Sequence, residues 1–288
     1  MLRGRSARQL VGGGLARLPT CADVTDLPVS EDNLPGRLGA LARVVDGDLV
    51  IDLVPTPEVC HLGRIRTSVL SYLVDCVTGI PLQRTDAWTL TTDMTVRAAP
   101  VPAPDLVVAR HRALRRGGRS ATARVSLVDG DGTVIGDGAA GFTHVAHKPG
   151  DPPMISVPIE EIVQRFGTLP PLTEPVREAA RIEVVEAEAG IVEVELTPAL
   201  RNLAGTLQGA MTALVAEAAA EDALSHRVGA PVFVTDIELR YLTRTTAGPV
   251  RSRTDVVGTG ADAFAVVELI DVSTSAVVTL VHVRGTIV

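Results

Sequence analysis

The sequence predicts an α+β protein built from two copies of one β-β-α-β-β-β pattern, each an antiparallel sheet wrapped around a helix. Three observations predict it. A glycine turn between two alternating strands occurs twice, at Gly47 and at Gly190, 143 positions apart. A Thr-Pro pair follows each turn, Thr56-Pro57 and Thr197-Pro198, 141 positions apart. Beyond each pair the apolar residues fall into the three-and-four spacing of a one-sided helix. A self-similarity of this length decides the architecture before any single element is assigned.

The elements follow in order. In the first copy, 38–45 and 48–54 alternate as strands on either side of Asp46-Gly47, a dipeptide suited to a tight hairpin. Ile65, Val69, Tyr72 and Cys76 mark the helix. Strand 88–97 comes next, then a hairpin of 106–114 and 121–128 through Gly117-Gly118, and a final strand 134–145 opened by Gly130 and Gly132. The second copy answers with strands on both sides of Gly190 and a helix marked by Leu207, Met211, Leu214 and Ala218. Strand 233–240, hairpin 250–257 and 264–271, and final strand 276–288 complete it. A sheet that curls around one helix leaves a strand edge unpaired, and pairing two copies covers it. This arrangement resembles the hotdog fold, and two copies in one chain resemble a double hotdog. The boundaries read as a leader over 1–35, an N-terminal unit over 36–147, a proline-rich linker over 148–175 with a short helical stretch at 159–166, and a C-terminal unit over 176–288.

Composition narrows the function classes. The chain has 288 residues, 27 Lys+Arg against 34 Asp+Glu and a net charge of −7, with 46 % hydrophobic residues. That balance marks a globular chain able to bury a core without disulfides or metal. It argues against a protein that coats nucleic acid or an anionic membrane. With 4 Phe, 2 Tyr and 1 Trp the chain has little to stack bases on. Cys21, Cys60 and Cys76 are odd in number and form no CxxC pair, so neither a disulfide framework nor a structural zinc is expected. No apolar run approaches the roughly 18–20 residues of a membrane span. The leader, with Arg3, Arg5, Arg8 and Arg17, has too short an apolar stretch for a signal peptide, so a cytoplasmic location is expected.

The motifs that carry common chemistries are missing: no Gly-x-Ser-x-Gly elbow, no P-loop and no dinucleotide fingerprint. Asp129-Gly-Asp-Gly-Thr133 lacks the remaining ligands of a calcium loop and reads as a hairpin turn. The six histidines show no metal spacing. The junction of loop and helix in the second copy is where chemistry concentrates. Glu217 lies three residues after Leu214 and seven after Ala210, which places it beside the apolar stripe. Burial there raises a carboxyl pKa toward the range of a general base, although an edge glutamate reaching water has the same spacing. Gly209 opens the helix, where backbone N–H groups lack intrahelical partners and can face an anion. Asn202 fits a turn or cap as well as a site.

Asn202, Gly205, Gln208-Gly209-Ala210 and Glu217 together resemble the motif of the phenylacetate-degradation type of acyl-CoA thioesterases. That motif runs Asn, two residues, Gly, then a His-Gly-Gly helix entry with an acid nine residues beyond the His. Here Gln208 stands for the His and Ala210 for the second Gly. The first copy keeps less: its loop carries His61 and Arg66, and its helix carries Asp75, which reaches the position of Glu217 with a shift of one residue. The resemblance implies that the entry loop of one unit faces the helix acid of the other. One cleft would then join Asn202, Gln208 and the Gly209 amide to Asp75, and the second would join Glu217 to the loop around His61 and Arg66. It implies hydrolysis of an acyl-CoA with no cofactor, coenzyme A being part of the substrate; double units of this kind often assemble further as homo-oligomers, and the state of this chain stays open. Arg115, Arg116 and Arg119 are the candidate cations for the coenzyme phosphates, with a solvated hairpin as the plain alternative. Gln208 can hydrogen-bond a thioester carbonyl or water but cannot titrate, so the competing function is a non-catalytic acyl-CoA-binding or assembly module.

Overall fold

The computed structural model describes residues 33–84, 86–148, 158–202 and 204–288. Most of the expected leader and residues 149–157 of the expected linker lie outside them. In the first half, strands β1 (Ala40–Val45) and β2 (Asp48–Leu53) precede a two-rung hairpin of β3 (Cys60–His61) and β4 (Arg64–Ile65) and the helix α1 (Thr67–Leu82). Strands β5 (Ala87–Ala98), β6 (Val107–Arg116), β7 (Ser120–Asp129) and β8 (Val134–Ala146) follow. The short helices α2 (Ile159–Arg165) and α3 (Val176–Ala179) lead to the second half. There β9 (Glu183–Glu186), β10 (Ile191–Val194) and α4 (Gly209–Val228) are followed by β11 (Val232–Tyr241), β12 (Val250–Val257), β13 (Phe264–Asp271) and β14 (Ala276–Ile287).

Four strands, not three, follow each helix. The β-β-α-β-β-β notation undercounts by one because the hairpin after the first strand beyond each helix is two full-length strands, β6 and β7 in one half, β12 and β13 in the other. All the long strands join one twelve-stranded antiparallel sheet in the order β1-β2-β6-β7-β8-β5-β11-β14-β13-β12-β10-β9. The order of the first six strands reappears, reversed, in the last six. The halves meet at β5 and β11, where Asp93 lies opposite Arg240 and Asp236 opposite Arg97, a register with local two-fold symmetry. Each half thus pairs the edge that it would otherwise expose.

The inward side chains at the join, Met94, Val96, Ile237 and Leu239, are fully buried. They lie under α1 and α4, which also pack against each other. Both helices are apolar nearly all round, as expected of helices covered by a curled sheet and by each other. Alanines at 210, 213, 216, 219, 220 and 223 on α4 are buried and allow close approach. On the sheet, a Cβ at Gly138 would come within 2.5 Å of Val74 on α1, so only glycine lets β8 pass beneath that helix. The Asp129 loop is the expected hairpin turn: its carboxylate accepts from the N–H groups of Asp131 and Thr133 at 3.0 and 2.8 Å. Among the described residues no helix is long and apolar enough to cross a membrane.

Candidate functional site

The start of each helix points at the side of the other. Counted from their first residues, Thr67 and Gly209, Asp75 and Glu217 are both the ninth residue. The one-residue shift expected between the two copies therefore disappears: it came from aligning on the turns, whose lengths differ, and not on the helices. Arg66 and Gln208 are likewise equivalent, each immediately preceding its helix.

In the first cleft, Asp75 of α1 meets the N-terminus of α4. Gln208 donates from Nε2 to Asp75 Oδ2 at 3.1 Å, and Thr91 of β5 donates to Oδ1 at 3.2 Å. The Gln208 amide oxygen turns the other way and accepts from the N–H groups of Ala210 and Met211 at 2.7 and 3.2 Å, capping α4. Gln208 was expected to address the substrate; both ends of its amide are instead engaged with the protein, and it orients Asp75. That leaves the Gly209 N–H, for which no partner is found among the described residues, aimed from the positive end of the helix. A Cβ on residue 209 would sit 3.0 Å from Asp75 Oδ2 and 3.1 Å from the Tyr241 hydroxyl, so glycine keeps the approach to the carboxylate open. Tyr241, at the end of β11, donates to the Gly209 carbonyl at 3.1 Å and fixes that residue from below.

These groups open onto a cavity of about 330 Å³ that Asp75, Asn202, Gln208, Gly209, Tyr241 and Arg244 help to line. Removal from bulk water pushes the Asp75 carboxyl up to about 6, against the opposing effect of the Thr91 hydroxyl. At neutral pH it is therefore ionised and more basic than an ordinary aspartate. Burial, followed by the charge of Asp75, holds the Tyr241 phenol well above its ordinary range, so it stays neutral. Asn202 shapes the loop: its Oδ1 accepts from Ala204 N, Thr206 N and Thr206 Oγ1 at 3.0 to 3.1 Å. Arg201 fastens that loop to the opposite wall by donating to the carbonyls of Gly205 and Thr246.

The second cleft is organised differently. Glu217 is completely buried and accepts hydrogen bonds from the Ser68 N–H at 3.3 Å and from the Ser68 hydroxyl. Arg66, 5 % exposed, reaches between two carboxylates, with Nη1 2.8 Å from Glu221 and 3.5 Å from Glu217. His61 lies 3.8 Å from the far oxygen of Glu221. Burial and then Glu221 push the Glu217 carboxyl up to about 7, while Arg66 and Ser68 pull it down. Burial also raises Glu221 and lowers His61. Where Gln208 leaves a cavity beside Asp75, its counterpart Arg66 is locked into ion pairs.

Arg115, Arg116 and Arg119 are exposed at the tip of the β6–β7 hairpin, and none of them lines the cavity. The hairpin nevertheless adjoins it, because Thr143, a lining residue, donates to the Arg119 carbonyl at 3.3 Å. Sequence reasoning missed Tyr241, Thr91, Ser68 and Arg244. Tyr241, Thr91 and Arg244 lie far along the chain from the loop motif, and Ser68, two residues after Arg66, meets Glu217 only once the helices pack. Glu221 was accessible to it, standing one helical turn beyond Glu217 on the same face.

No protein-family model matches the chain, and no curated protein matches it in sequence. Solved structures do match. The TesB protein of Mycobacterium avium subsp. paratuberculosis superposes with a TM-score of 0.59 at 13 % identity, over 90 % of this chain and 100 % of that one. An acyl-ACP thioesterase from Bacteroides thetaiotaomicron gives 0.57 at 14 % identity, over 82 % and 96 %. A protein of unknown function with hot dog fold from Alicyclobacillus acidocaldarius gives 0.55 at 11 % identity, over 90 % and 98 %. At these identities the likeness is one of fold: the chain has the α+β architecture of hotdog-fold proteins, several of which are named as thioesterases.

Proposed function

We propose that this protein is a tandem pair of hotdog units that hydrolyses an acyl-CoA thioester to the free acid and coenzyme A, in the cleft between α1 and the N-terminus of α4. One observation carries the reading. A carboxylate with a raised pKa, held by Gln208 and Thr91, shares a cavity with the unpartnered Gly209 N–H at a helix N-terminus. Asp75 takes a proton from water as the water oxygen attacks the thioester carbon. The carbonyl oxygen becomes an oxyanion next to the Gly209 N–H, which the dipole of α4 strengthens as a donor. Collapse of that intermediate breaks the C–S bond, and the departing thiolate receives the proton from Asp75. Direct attack by Asp75 on the thioester carbon, with water then hydrolysing the acyl-enzyme, is the alternative course at the same residue.

Release of free thiol from a panel of acyl-CoA thioesters tests this directly. Turnover that requires Asp75 is the expected result; tight binding of the same thioesters with no thiol released selects the non-catalytic acyl-CoA-binding or assembly module instead. The inability of Gln208 to titrate favours that second reading. Arg115, Arg116 and Arg119 are proposed to hold the coenzyme phosphates at the cavity rim. Replacing all three with serine is expected to weaken CoA binding by about tenfold at low salt and to flatten its salt dependence. Calorimetry at two ionic strengths checks this, and an unchanged affinity moves the phosphates elsewhere.

A further inference from the structure

We infer that the acyl group this cavity takes is short and carries a hydroxyl oxygen, an inference that rests on the thioesterase reading. The lining decides it. Of the 17 described residues that line the cavity, 8 are threonines and only 3, Leu90, Leu207 and Leu242, are large and apolar. A long alkyl chain gains by covering apolar surface, and here it would meet hydroxyls that lose their water in return.

The threonines are not equivalent. Thr91, Thr206 and Thr212 spend their hydroxyl protons on Asp75, the Asn202 side chain and the Gln208 carbonyl. Thr92 and Thr143 donate to Asp93 and the Arg119 carbonyl. The side chains of the other three, Thr243, Thr245 and Thr279, have no hydrogen-bond partner among the described residues; Thr243 is exposed, whereas Thr245 and Thr279 are buried residues at 7 % and 2 % exposure. Thr279 of β14 lies opposite Tyr241 in the sheet register, and the Thr245 carbonyl accepts from the Leu207 N–H at 3.2 Å. Both therefore belong to the wall that carries the oxyanion donor, facing the cleft with Asp75 on the other helix. Their oxygens are open to the cavity and not sealed in the protein, so a ligand that fills the cavity strips them of solvent and must supply hydrogen bonds in its place. A hydroxyl on the acyl chain can accept from one and donate to the other. A site built to bond a hydroxyl rejects the analogue that lacks it far more strongly than an apolar pocket rejects an added one.

The test compares 3-hydroxybutyryl-CoA, butyryl-CoA and octanoyl-CoA on the full chain, by kcat/KM from thiol release and by affinity from calorimetry. The expected result is a preference of about tenfold or more for the hydroxyacyl thioester over butyryl-CoA, with octanoyl-CoA poorest. In Thr279→Val and Thr245→Val, which keep the shape and remove the hydroxyl, that ratio is expected to fall toward one; Thr279→Ser keeps it. Equal or faster turnover of butyryl-CoA or octanoyl-CoA overturns the inference and leaves the hydrolase reading standing. If no thioester is cleaved, the hydrolase reading fails, and the three affinities decide the acyl preference by themselves.

Discussion

Asp75→Asn is expected to lower kcat/KM by about a hundredfold or more while raising the melting temperature at neutral pH. The loss follows from removing the base. Asparagine keeps the shape, and its Oδ1 can still accept from Gln208 Nε2 while its amide donates to the rotatable Thr91 hydroxyl, so the cavity wall survives. The gain in stability follows from the same burial that tunes the base. The folded chain holds the Asp75 proton to about pH 6 against an ordinary 3.8, so this group's contribution to stability is greatest at low pH and declines as pH rises between those values. Asparagine has no such decline. The stability difference should therefore be absent near pH 3.5 and complete above about pH 6.5, and the wild-type kcat/KM should climb through pH 6 to a plateau. A variant that loses activity but melts earlier at pH 7 would mean that Asp75 holds the fold, not that it acts in the cleft.

Much of this was legible in the sequence, for a physical reason. Turn glycines, strand alternation and helical stripes are local signals, so the two halves, the central helices and the final strands can be read off one segment at a time. The nine-residue spacing from Gln208 to Glu217 is also local, because it lies along one helix; the same spacing from Arg66 to Asp75 is equally local but is hidden when the copies are aligned on their turns. What the sequence hides is set by contacts between distant segments. Gln208 reads as a group free to meet a substrate until Asp75 and the first turn of α4 are seen to engage both ends of its amide. Tyr241 reads as the end of a strand until that strand is placed under Gly209. Arg66 reads as part of a loop facing Glu217; that a second carboxylate, Glu221, joins it and that the ion pairs fill the cleft shows only once α1 and α4 are packed together.

The buried cluster of Arg66 yields the other large effect. Arg66→Met, close in volume, is expected to destabilise the fold by about 3–5 kcal/mol at pH 8, because it leaves Glu217 and Glu221 buried and uncompensated. The penalty depends on their charge, and its sign is fixed: both carboxyls are already raised by burial, and the loss of the guanidinium raises them further. As pH falls the carboxyls take up protons and the charge left uncompensated declines, so the loss at pH 5 should be smaller than at pH 8. Adding Glu217→Gln and Glu221→Gln to Arg66→Met should recover most of the stability at pH 8, since a neutral cluster has no ion left to solvate. Chemical denaturation at the two pH values measures all three. Glu217→Gln alone is expected to leave kcat/KM within a few fold of the wild type, because its cleft is filled by Arg66 and the working cavity lies at Asp75. A loss for Glu217→Gln equal to that for Asp75→Asn, in a variant that melts normally, would mean that Arg66 moves aside and both clefts turn over. A variant Arg66→Met equally unstable at pH 5 and pH 8 would mean that packing of the arginine stem, and not its charge, holds α1 against α4.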